Sequence, residues 1–323
     1  MTSLSTEKFP TQPRLIFMGT PQFAVPTLEA LIQEGHEILA VVTQPDRPKG
    51  RGRKRVPSPI KELALMHQME VLQPQKASDE DFCDHLRKME PDLAIVVAFG
   101  QILKKNLLAI PEWGVINIHA SLLPKYRGAA PIQWAILNSE PKTGLTVMRM
   151  DEGLDTGPIL LQKEVPILQD ETAGQLHDRL SLLAGQVIIK ALTDMSNSQL
   201  NETPQDESLA SYASKIEKRD CLVDWKQPAT RISCLIRALD PRPGAYTLLE
   251  GKQIKLFSSR VVEEAGLDGV PGRVVRHTKD DIQVDTGQGM IGIREIQYPG
   301  KKRLSIPDFL RGFPLPEGTI FGD

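Results

Sequence analysis

Short apolar runs alternate with amphipathic segments over the first two thirds of the chain. We predict strands where an apolar run is continuous, and helices where apolar residues recur at helical spacing. The predicted strands are 14–19, 38–43, 71–72, 93–99 and 114–118, and the predicted helices are 26–33, 59–67, 79–89 and 171–192. This alternation predicts an α/β domain over residues 14–194, with a Rossmann-like, mostly parallel sheet covered by helices.

The pattern changes after residue 194. Residues 195–217 are rich in Ser, Asn, Gln and Pro, which predicts a linker. Beyond it, we predict a helix at 232–238 and strands at 246–249, 254–262, 272–276, 282–285 and 289–297. Several short strands are typical of a small β-barrel, so we expect residues 218–323 to form an OB-like domain.

The composition is that of a globular protein, with 40% hydrophobic residues and a net charge of −2. Residues 1–13 are polar and lack an apolar stretch, so we expect a flexible end and no targeting segment. No apolar run approaches the length of a membrane span, which favours a cytoplasmic protein without a membrane partner. The cysteines, at 83, 221 and 234, are widely spaced and predict neither disulfides nor a bound metal.

Asn117 and His119 lie at the carboxyl end of the strand predicted at 114–118, with His119 just beyond it. Residues two apart on a strand share a face, so both side chains can converge on one ligand atom. Ligands of open α/β sheets gather at such strand ends. The alternative is an asparagine that caps a turn and a histidine hydrogen-bonded in the core. The surrounding loop of small residues favours the ligand site.

Asp151 and Asp155 lie in a loop punctuated by glycine, where either carboxylate can serve only to hold a turn. We favour Asp155 as the functional group because the rigid sequence Thr-Gly-Pro follows it. Together with His119 and an amide donor it makes a site suited to acyl transfer. No cysteine or serine lies in a nucleophile elbow, which favours direct attack by a substrate amine on a bound carbonyl.

Six basic residues crowd into the nine positions from 47 to 55, with only Pro and Gly between them. They are Arg47, Lys49, Arg51, Arg53, Lys54 and Arg55. A solvated charge run is the common reading of such a stretch, but the near absence of acidic residues favours a mobile loop that binds a polyanion. A weaker patch of the same type consists of Lys301, Lys302 and Arg303.

The segment from Asn117 to Pro124, taken together with Asp155, resembles the signature of the folate-dependent formyltransferases. The sequence from Thr43 to Pro48 with its basic continuation, and that from Arg127 to Pro131, resemble the branch of the family that acts on tRNA. The resemblance extends from residue 14 into the carboxyl-terminal domain.

This resemblance implies that 10-formyltetrahydrofolate donates a formyl group to the α-amino group of initiator methionyl-tRNA. It implies that Asn117 and protonated His119 stabilise the oxyanion, and that Asp155 orients His119. The implied folate contacts are Phe99, Gln101, Leu103, Ser121, Leu122, Leu123 and Pro124. The two basic patches would hold the tRNA. We expect a monomer that binds no DNA.

Two other functions fit these residues. A formyltransferase that acts on a nucleotide-linked amino sugar would share Asn117, His119 and Asp155, but a sugar nucleotide has only two phosphates for the basic run to neutralise. A non-catalytic RNA-binding protein on the same scaffold would bind RNA without turnover, and the intact set of three residues argues against it.

Overall fold

The computed structural model describes residues 8–49, 54–263 and 269–322. The chain divides into two compact units. The first comprises Met1–Gly128, Gly144–Val165 and Asp178–Tyr212, and the second comprises Ala129–Thr143, Pro166–His177 and Ala213–Asp323. The predicted domains were continuous in sequence, whereas the second unit also takes residues 129–143 and 166–177. Part of the reason is that Trp134 Nε1 and Arg231 Nη1 donate hydrogen bonds to Ser214 O and Leu137 O within that unit.

The elements alternate in type through the first unit and are mostly strands in the second. Within the described residues the strands are β1 (Leu15–Gly19), β2 (Ile38–Val42), β3 (Arg47–Lys49), β4 (Lys54–Val56), β5 (Val71–Leu72), β6 (Leu93–Val97), β7 (Val115–His119), β8 (Arg127–Gly128), β9 (Lys142–Arg149), β10 (Ile159–Pro166), β11 (Tyr212–Ala213), β12 (Ala245–Leu249), β13 (Lys252–Glu263), β14 (Val274–His277), β15 (Ile282–Asp285), β16 (Met290–Gln297) and β17 (Arg303–Ser305). The helices are α1 (Val25–Gln33), α2 (Pro59–Met66), α3 (Glu80–Lys88), α4 (Lys105–Leu108), α5 (Pro131–Leu137), α6 (Ala173–Ser196), α7 (Ala229–Leu239) and α8 (Ile306–Gly312), with 3₁₀ turns at Gln22–Ala24, Glu207–Leu209 and Lys218–Cys221.

A seven-stranded sheet in the order β10-β9-β7-β6-β1-β2-β5 forms the centre of the first unit. β2, β1, β6, β7 and β5 run parallel, and β9 joins β7 antiparallel. Every residue of β1, β6 and β7 is buried, which explains why β1 and β6 are apolar without alternation. The predicted Rossmann-like, mostly parallel sheet is confirmed.

An antiparallel sheet in the order β12-β13-β16-β15-β14, with β17 paired to β16, forms the second unit. Its core contains residues of α7, inward residues of these strands such as Ile254 and Ile293, and Trp225, which precedes α7. The Trp225 indole donates to Thr247 Oγ1 at 2.9 Å, so its buried N–H is satisfied. The predicted small β domain is confirmed, but the prediction missed β17 and α8.

Three predictions about irregular segments need correction. Phe9 is 4% exposed and its ring meets Trp113 edge-on at 5.4 Å, so the end of the predicted flexible segment is packed, while residues 1–7 lie outside the described residues. The predicted linker is also held, because Thr203 exchanges two backbone hydrogen bonds with Ile159. Finally, the strand that carries His119 ends at that residue and not before it.

The structure also contains four elements that the sequence patterns did not predict, namely β9, β10, α4 and α5. Pro131 is the first residue of α5. Proline is favoured at this position because the backbone N–H that it lacks would have no partner within the helix. A short helix is therefore compatible with the small-residue segment that we assigned to ligand contact.

Candidate active site

β7 carries the two polar side chains predicted to act together. Asn117 lies opposite Met148 of β9, and His119 lies opposite Thr146. Both side chains are almost fully buried and, being two residues apart on a strand, they project from the same face of the sheet. The structure therefore places Asn117 and His119 on one face at the carboxyl end of β7.

Both ring nitrogens of His119 face defined partners. Nε2 lies 2.9 Å from the carbonyl oxygen of Tyr126, and Nδ1 lies 3.6 Å from Asp155 Oδ2. A carbonyl oxygen only accepts hydrogen bonds, so Nε2 must carry hydrogen and donate. Nδ1 is consequently the nitrogen whose proton can move between the carboxylate and a bound substrate. We call His119 and Asp155 the dyad.

The Asp155 carboxylate is fixed from a second direction. The backbone N–H of Gly128 donates to Asp155 Oδ2 at 2.8 Å. Asp155 itself has a φ of 54°, in the left-handed region that aspartate tolerates better than most residues. Two residues later only glycine fits, because a Cβ on Gly157 would lie 1.9 Å from the carbonyl oxygen of Arg149. The loop thus has little freedom to move Asp155 away from His119.

Asp151, the neighbouring carboxylate of the same loop, is used differently. Its Oδ1 accepts hydrogen bonds from the Gly153 N–H at 3.0 Å and the Thr156 hydroxyl at 2.7 Å. These bonds close the turn that leads into Asp155. Asp151 therefore holds the loop, and Asp155 faces the histidine.

The predicted folate contacts divide by burial. Phe99 and Leu103 are buried in the core of the first unit. The Gln101 side chain accepts from Ala77 N at 2.7 Å and donates to Pro74 O, so it is committed to the fold. Phe99 and Leu103 thus have little side-chain surface to offer a bound donor, while the half-buried Gln101 is held by its two hydrogen bonds. The exposed side chain of their segment is Ile102, which is 83% exposed and which the sequence prediction missed.

The second predicted folate segment shows the same division. Ser121 is fully buried and its hydroxyl donates to Lys125 O at 2.6 Å, which also excludes it as a nucleophile in this conformation. Leu123 is buried as well and its N–H donates to Thr146 Oγ1. Leu122 and Pro124 are half-buried and keep an accessible surface. Only these last two remain available for side-chain contact.

A cleft of about 420 Å³ opens at the carboxyl ends of β1, β2 and β6. Its floor is fixed by hydrogen bonds to the carbonyl oxygen of Phe99, from the Thr20 hydroxyl at 2.9 Å and from Gln44 Nε2 at 3.3 Å. The chain reverses its direction of travel across the sheet between β1 and β6, and such switch points form ligand crevices. Arg47 lines the cleft and donates from Nη2 to Gln44 Oε1 at 3.0 Å.

The basic run is more ordered at its ends than predicted. β3 and β4 pair antiparallel across it, so its arms form a hairpin and not a mobile loop. Arg47 and Arg55 are exposed on these arms, only the backbone of Lys49 and Lys54 is described, and Arg51 and Arg53 lie outside the described residues. At the base, Lys61 Nζ pairs with Asp46 at 2.8 Å, and hydrogen bonds from Lys61 and Gln73 lower the pKa of the Asp46 carboxyl.

In the second basic patch, Arg303 differs from Lys301 and Lys302 in its contacts. Lys301 and Lys302 are exposed. The Arg303 guanidinium instead pairs with Asp240 at 2.6 Å and with Glu295, and it lies 4.2 Å from the ring centroid of Phe257. Burial opposes the charge of Arg303, but the hydrogen bonds that it donates to both carboxylates raise its pKa. Because Asp240 and Glu295 already occupy its donors, the Arg303 guanidinium is less available to a phosphate than the exposed Lys301 and Lys302.

Sequence patterns did not predict the contacts of three residues around the dyad, Arg127, Gln205 and Glu207. Arg127 is fully buried, and its guanidinium contacts the side chains of Gln205 and Glu207. Gln205 in turn donates to the backbone beside Asp155. Arg127 entered the sequence predictions only as part of a motif. Gln205 and Glu207 lie in the predicted linker, and the sequence of a polar segment does not show whether it packs against the domain.

Over the part of the chain that the structure describes, no helix is long and apolar enough to cross a membrane. Nor do the described ranges contain a group of three or more His, Cys, Asp or Glu side chains arranged to hold a metal ion.

Comparison with known proteins matches this architecture to formyl transferases. A family model described as formyl transferase matches residues 13–192, and one described as the formyl transferase C-terminal domain matches residues 215–314. A Geobacter sulfurreducens protein named methionyl-tRNA formyltransferase is 50% identical over 310 residues, which cover 96% of this chain and 97% of that protein. A Pelotomaculum thermopropionicum protein of the same name is 47% identical, over 96% of this chain and 99% of that one.

More distant solved structures share the fold. The N-formyltransferase from Helicobacter canadensis in complex with folinic acid and dTDP-3-aminofucose has a TM-score of 0.68 at 21% identity, covering 87% of this chain and 98% of that chain. HypX from Aquifex aeolicus in complex with tetrahydrofolic acid has a TM-score of 0.64 at 20% identity, covering 97% of this chain and 51% of that one. At these identities the likeness concerns the fold.

Proposed function

The chain belongs to the formyl transferase family, and on this premise we propose that it transfers the formyl group of 10-formyltetrahydrofolate to the α-amino group of initiator methionyl-tRNA. The observation that carries the proposal is identity of 47–50% over almost the whole of both chains with proteins named for that activity. The dyad beside Asn117 supplies groups that the reaction requires. The fold also occurs in a sugar N-formyltransferase, but that likeness is only 21% identical.

In the proposed reaction the methionyl amine attacks the formyl carbon and a tetrahedral oxyanion forms. The carbon–nitrogen bond to the folate then breaks, the amine loses a proton and the folate nitrogen gains one. Asn117 Nδ2–H and His119 Nδ1–H would donate to the oxyanion, which develops only as the reaction proceeds. Asp155 would hold the imidazole and balance its charge, and would accept the amine proton through a water.

No covalent enzyme intermediate is needed in this scheme. The Ser121 hydroxyl is bonded to a carbonyl, and the cysteines at 83, 221 and 234 are each buried. Direct transfer between two bound substrates then depends on holding them in attack geometry, which contributes about 7–11 kcal/mol in well-oriented systems. The exposed side chain of Ile102 and the accessible faces of Leu122 and Pro124 give the flat folate donor an apolar contact surface.

The test is a transfer assay with 10-formyltetrahydrofolate and three parallel acceptors: methionyl initiator tRNA, the same tRNA uncharged, and a nucleotide-linked amino sugar. Formylation of the aminoacyl-tRNA alone is the expected result. Transfer to the sugar alone would replace the proposal with the sugar enzyme, and RNA binding without transfer to any acceptor would replace it with the non-catalytic protein.

Replacing Asn117 with alanine is expected to lower kcat by about 10²–10³-fold, the usual loss when one oxyanion donor is removed. Because the donor acts mainly on the transition state, KM for both substrates should change by less than about threefold. Asn117→Asp keeps the shape and replaces the N–H donors with a negative oxygen, so its kcat should fall at least as far. A kcat for Asn117→Ala within threefold of wild type would remove Asn117 from the mechanism.

Arg47→Ala is expected to weaken binding of methionyl-tRNA and to make that binding less sensitive to salt. Arg47 is exposed on β3 and lines the cleft, where its guanidinium would meet a phosphate of the acceptor end. Loss of one phosphate contact should reduce the slope of log affinity against log salt by about 1. Filter binding from low to moderate salt measures it.

Arg87→Ala is the matched control for Arg47→Ala, because the Arg87 guanidinium is already paired with Glu80 at 2.8 Å. Its salt slope should equal that of the wild type. Equal slopes for all three proteins would show that Arg47 contacts no phosphate.

We also propose that the protein acts as a monomer in the cytoplasm, where methionyl-tRNA is used for initiation. A single mass near 36 kDa in light scattering at micromolar concentration is expected from the chain mass of 35.9 kDa. A mass of twice that value would contradict the monomer.

A further inference from the structure

We propose that Arg127, Gln205 and Glu207 form a positioning network that sets the geometry of the dyad. The inference rests on the proposed function, because it concerns how His119 and Asp155 are held for that reaction. Over the residues that the structure describes, none of the three side chains hydrogen-bonds to the side chains of the dyad. Gln205 bonds the backbone of the Asp155 loop, and Arg127 links Gln205 to Glu207.

Gln205 fixes the loop of Asp155. Its side-chain nitrogen donates to the carbonyl oxygen of Asp155 at 2.8 Å and to that of Gly157 at 2.7 Å. Both hydrogens of the amide are therefore used on one turn, the turn in which Asp155 adopts its left-handed backbone. A residue in that conformation persists only where its surroundings hold it. The Gln205 amide is a direct source of that constraint.

Arg127 fixes Gln205 in turn. Gln205 Oε1 accepts from Arg127 Nε at 3.1 Å and from Nη2 at 2.8 Å. Because the guanidinium only donates, the oxygen of the amide must face Arg127 and the nitrogen must face the Asp155 loop. The same guanidinium pairs in bidentate fashion with Glu207, at 2.8 Å for each oxygen. Its two edges are therefore both occupied, and it has one orientation available.

The backbone around Arg127 holds both members of the dyad. The carbonyl of Tyr126 accepts from His119 Nε2 at 2.9 Å, and the N–H of Gly128 donates to Asp155 Oδ2 at 2.8 Å. Arg127 lies between these two residues, and its own N–H donates to Ser211 O at 2.8 Å. A shift of this three-residue segment would move the histidine and the carboxylate together.

The chemistry of the network favours positioning over stability. A guanidinium with no exposed surface carries a large desolvation cost, and a buried ion pair often contributes little net stability compared with apolar side chains. Glu207 is 68% exposed, which weakens its attraction for Arg127 further. The planar guanidinium of Arg127, however, binds a carboxylate and an amide at the same time and so fixes the orientation of both side chains. That property suits a site in which a 1 Å displacement can cost about 10²-fold in rate.

The decisive experiment is a double-mutant cycle between Gln205→Met and Asp155→Asn. Methionine matches the volume of glutamine and makes none of its four hydrogen bonds. With Asp155 present, Gln205→Met should lower kcat by about 10–100-fold, as loss of groups that orient functional ligands does elsewhere, and change KM by less than threefold. With Asp155→Asn already made, Gln205→Met should lower kcat by less than about twofold. An equal loss in both backgrounds would show a merely structural role and overturn the proposal.

Two further variants keep the test independent of folding. Arg127→Lys retains the charge but not the fork, so it should reproduce the kcat loss of Gln205→Met in a folded protein. Gln227→Met is the control, because Gln227 lies in the second unit and its side chain donates to Asp224 Oδ2 at 3.0 Å, away from the dyad in sequence and unit. Its kcat should equal that of the wild type. A kcat within twofold of wild type for both Gln205→Met and Arg127→Lys would also overturn the proposal.

A spectroscopic measurement separates this proposal from the proposed function. In the full chain with ¹⁵N-labelled histidine, Gln205→Met should shift the ring nitrogen resonances of His119 and leave those of His85 unchanged. This result is expected even if the protein formylates another acceptor. Unchanged His119 resonances would refute the network whether or not methionyl-tRNA is the substrate.

Discussion

Replacing His119 with alanine is expected to lower kcat for formyl transfer by about 10²–10⁴-fold, the range for loss of a positioned acid–base group. Nε2 is held by Tyr126 O, and Nδ1, which lies 3.6 Å from Asp155 Oδ2, is proposed to donate to the oxyanion. Alanine removes that donor and leaves the Asp155 carboxylate without the imidazole beside it. Because substrates bind largely through other residues, KM should change far less than kcat. Rapid-quench measurement of a single turnover isolates the chemical step.

His85→Ala is the matched control for His119→Ala. His85 Nε2 also lies beside a carboxylate, 3.4 Å from Glu70 Oε1, but both side chains are about half exposed at the surface. Its kcat should equal that of the wild type. If His119→Ala, folded as judged by circular dichroism, retained more than a tenth of the wild-type rate, His119 would not be the acid–base group.

The parts of the fold that could be predicted are those whose signal is local. β1 and β6 are continuous apolar runs because both of their faces are buried, and their sequences therefore predicted buried parallel strands. β7 was predicted in the same way, and its polar residues Asn117 and His119 stood out against the apolar background. The site residues on this strand were visible because burial makes a polar side chain exceptional.

The parts that could not be predicted depend on partners far away in the sequence. Arg303 and Lys302 look alike as neighbours in a basic run, but the carboxylate of Asp240, 63 residues away, pairs with the guanidinium and not with the lysine. Gln205 lies in a polar stretch whose composition predicts a linker, and only the fold brings it to Asp155, 50 residues away. Local composition carries no record of such contacts, so the positioning groups of the site were missed.

The Asp155 carboxylate can be tested by an isosteric change. Asp155→Asn is expected to lower kcat by about 10²–10⁴-fold with little loss of stability. The Asn oxygen can take the place of Oδ2, which accepts from Gly128 N and also faces His119 Nδ1, so the side chain keeps its position but loses its negative charge. Nε2 must keep its hydrogen for Tyr126 O, and a neutral amide no longer balances a second ring hydrogen on Nδ1. The imidazole would keep its place but lose the N–H that is proposed to stabilise the oxyanion.

Asp151→Asn gives the sharpest comparison with Asp155→Asn, because the two carboxylates lie in one loop. Asp151 uses a single oxygen, Oδ1, to accept from Gly153 and Thr156, and an asparagine oxygen accepts the same two bonds. Its kcat should therefore stay within about twofold of wild type. Equal losses in the two variants would mean that negative charge in the loop, and not the contact between Asp155 and His119, supports the reaction. A loss confined to Asp155→Asn would tie the rate to the state of His119 Nδ1, since only that variant removes the negative charge beside the ring.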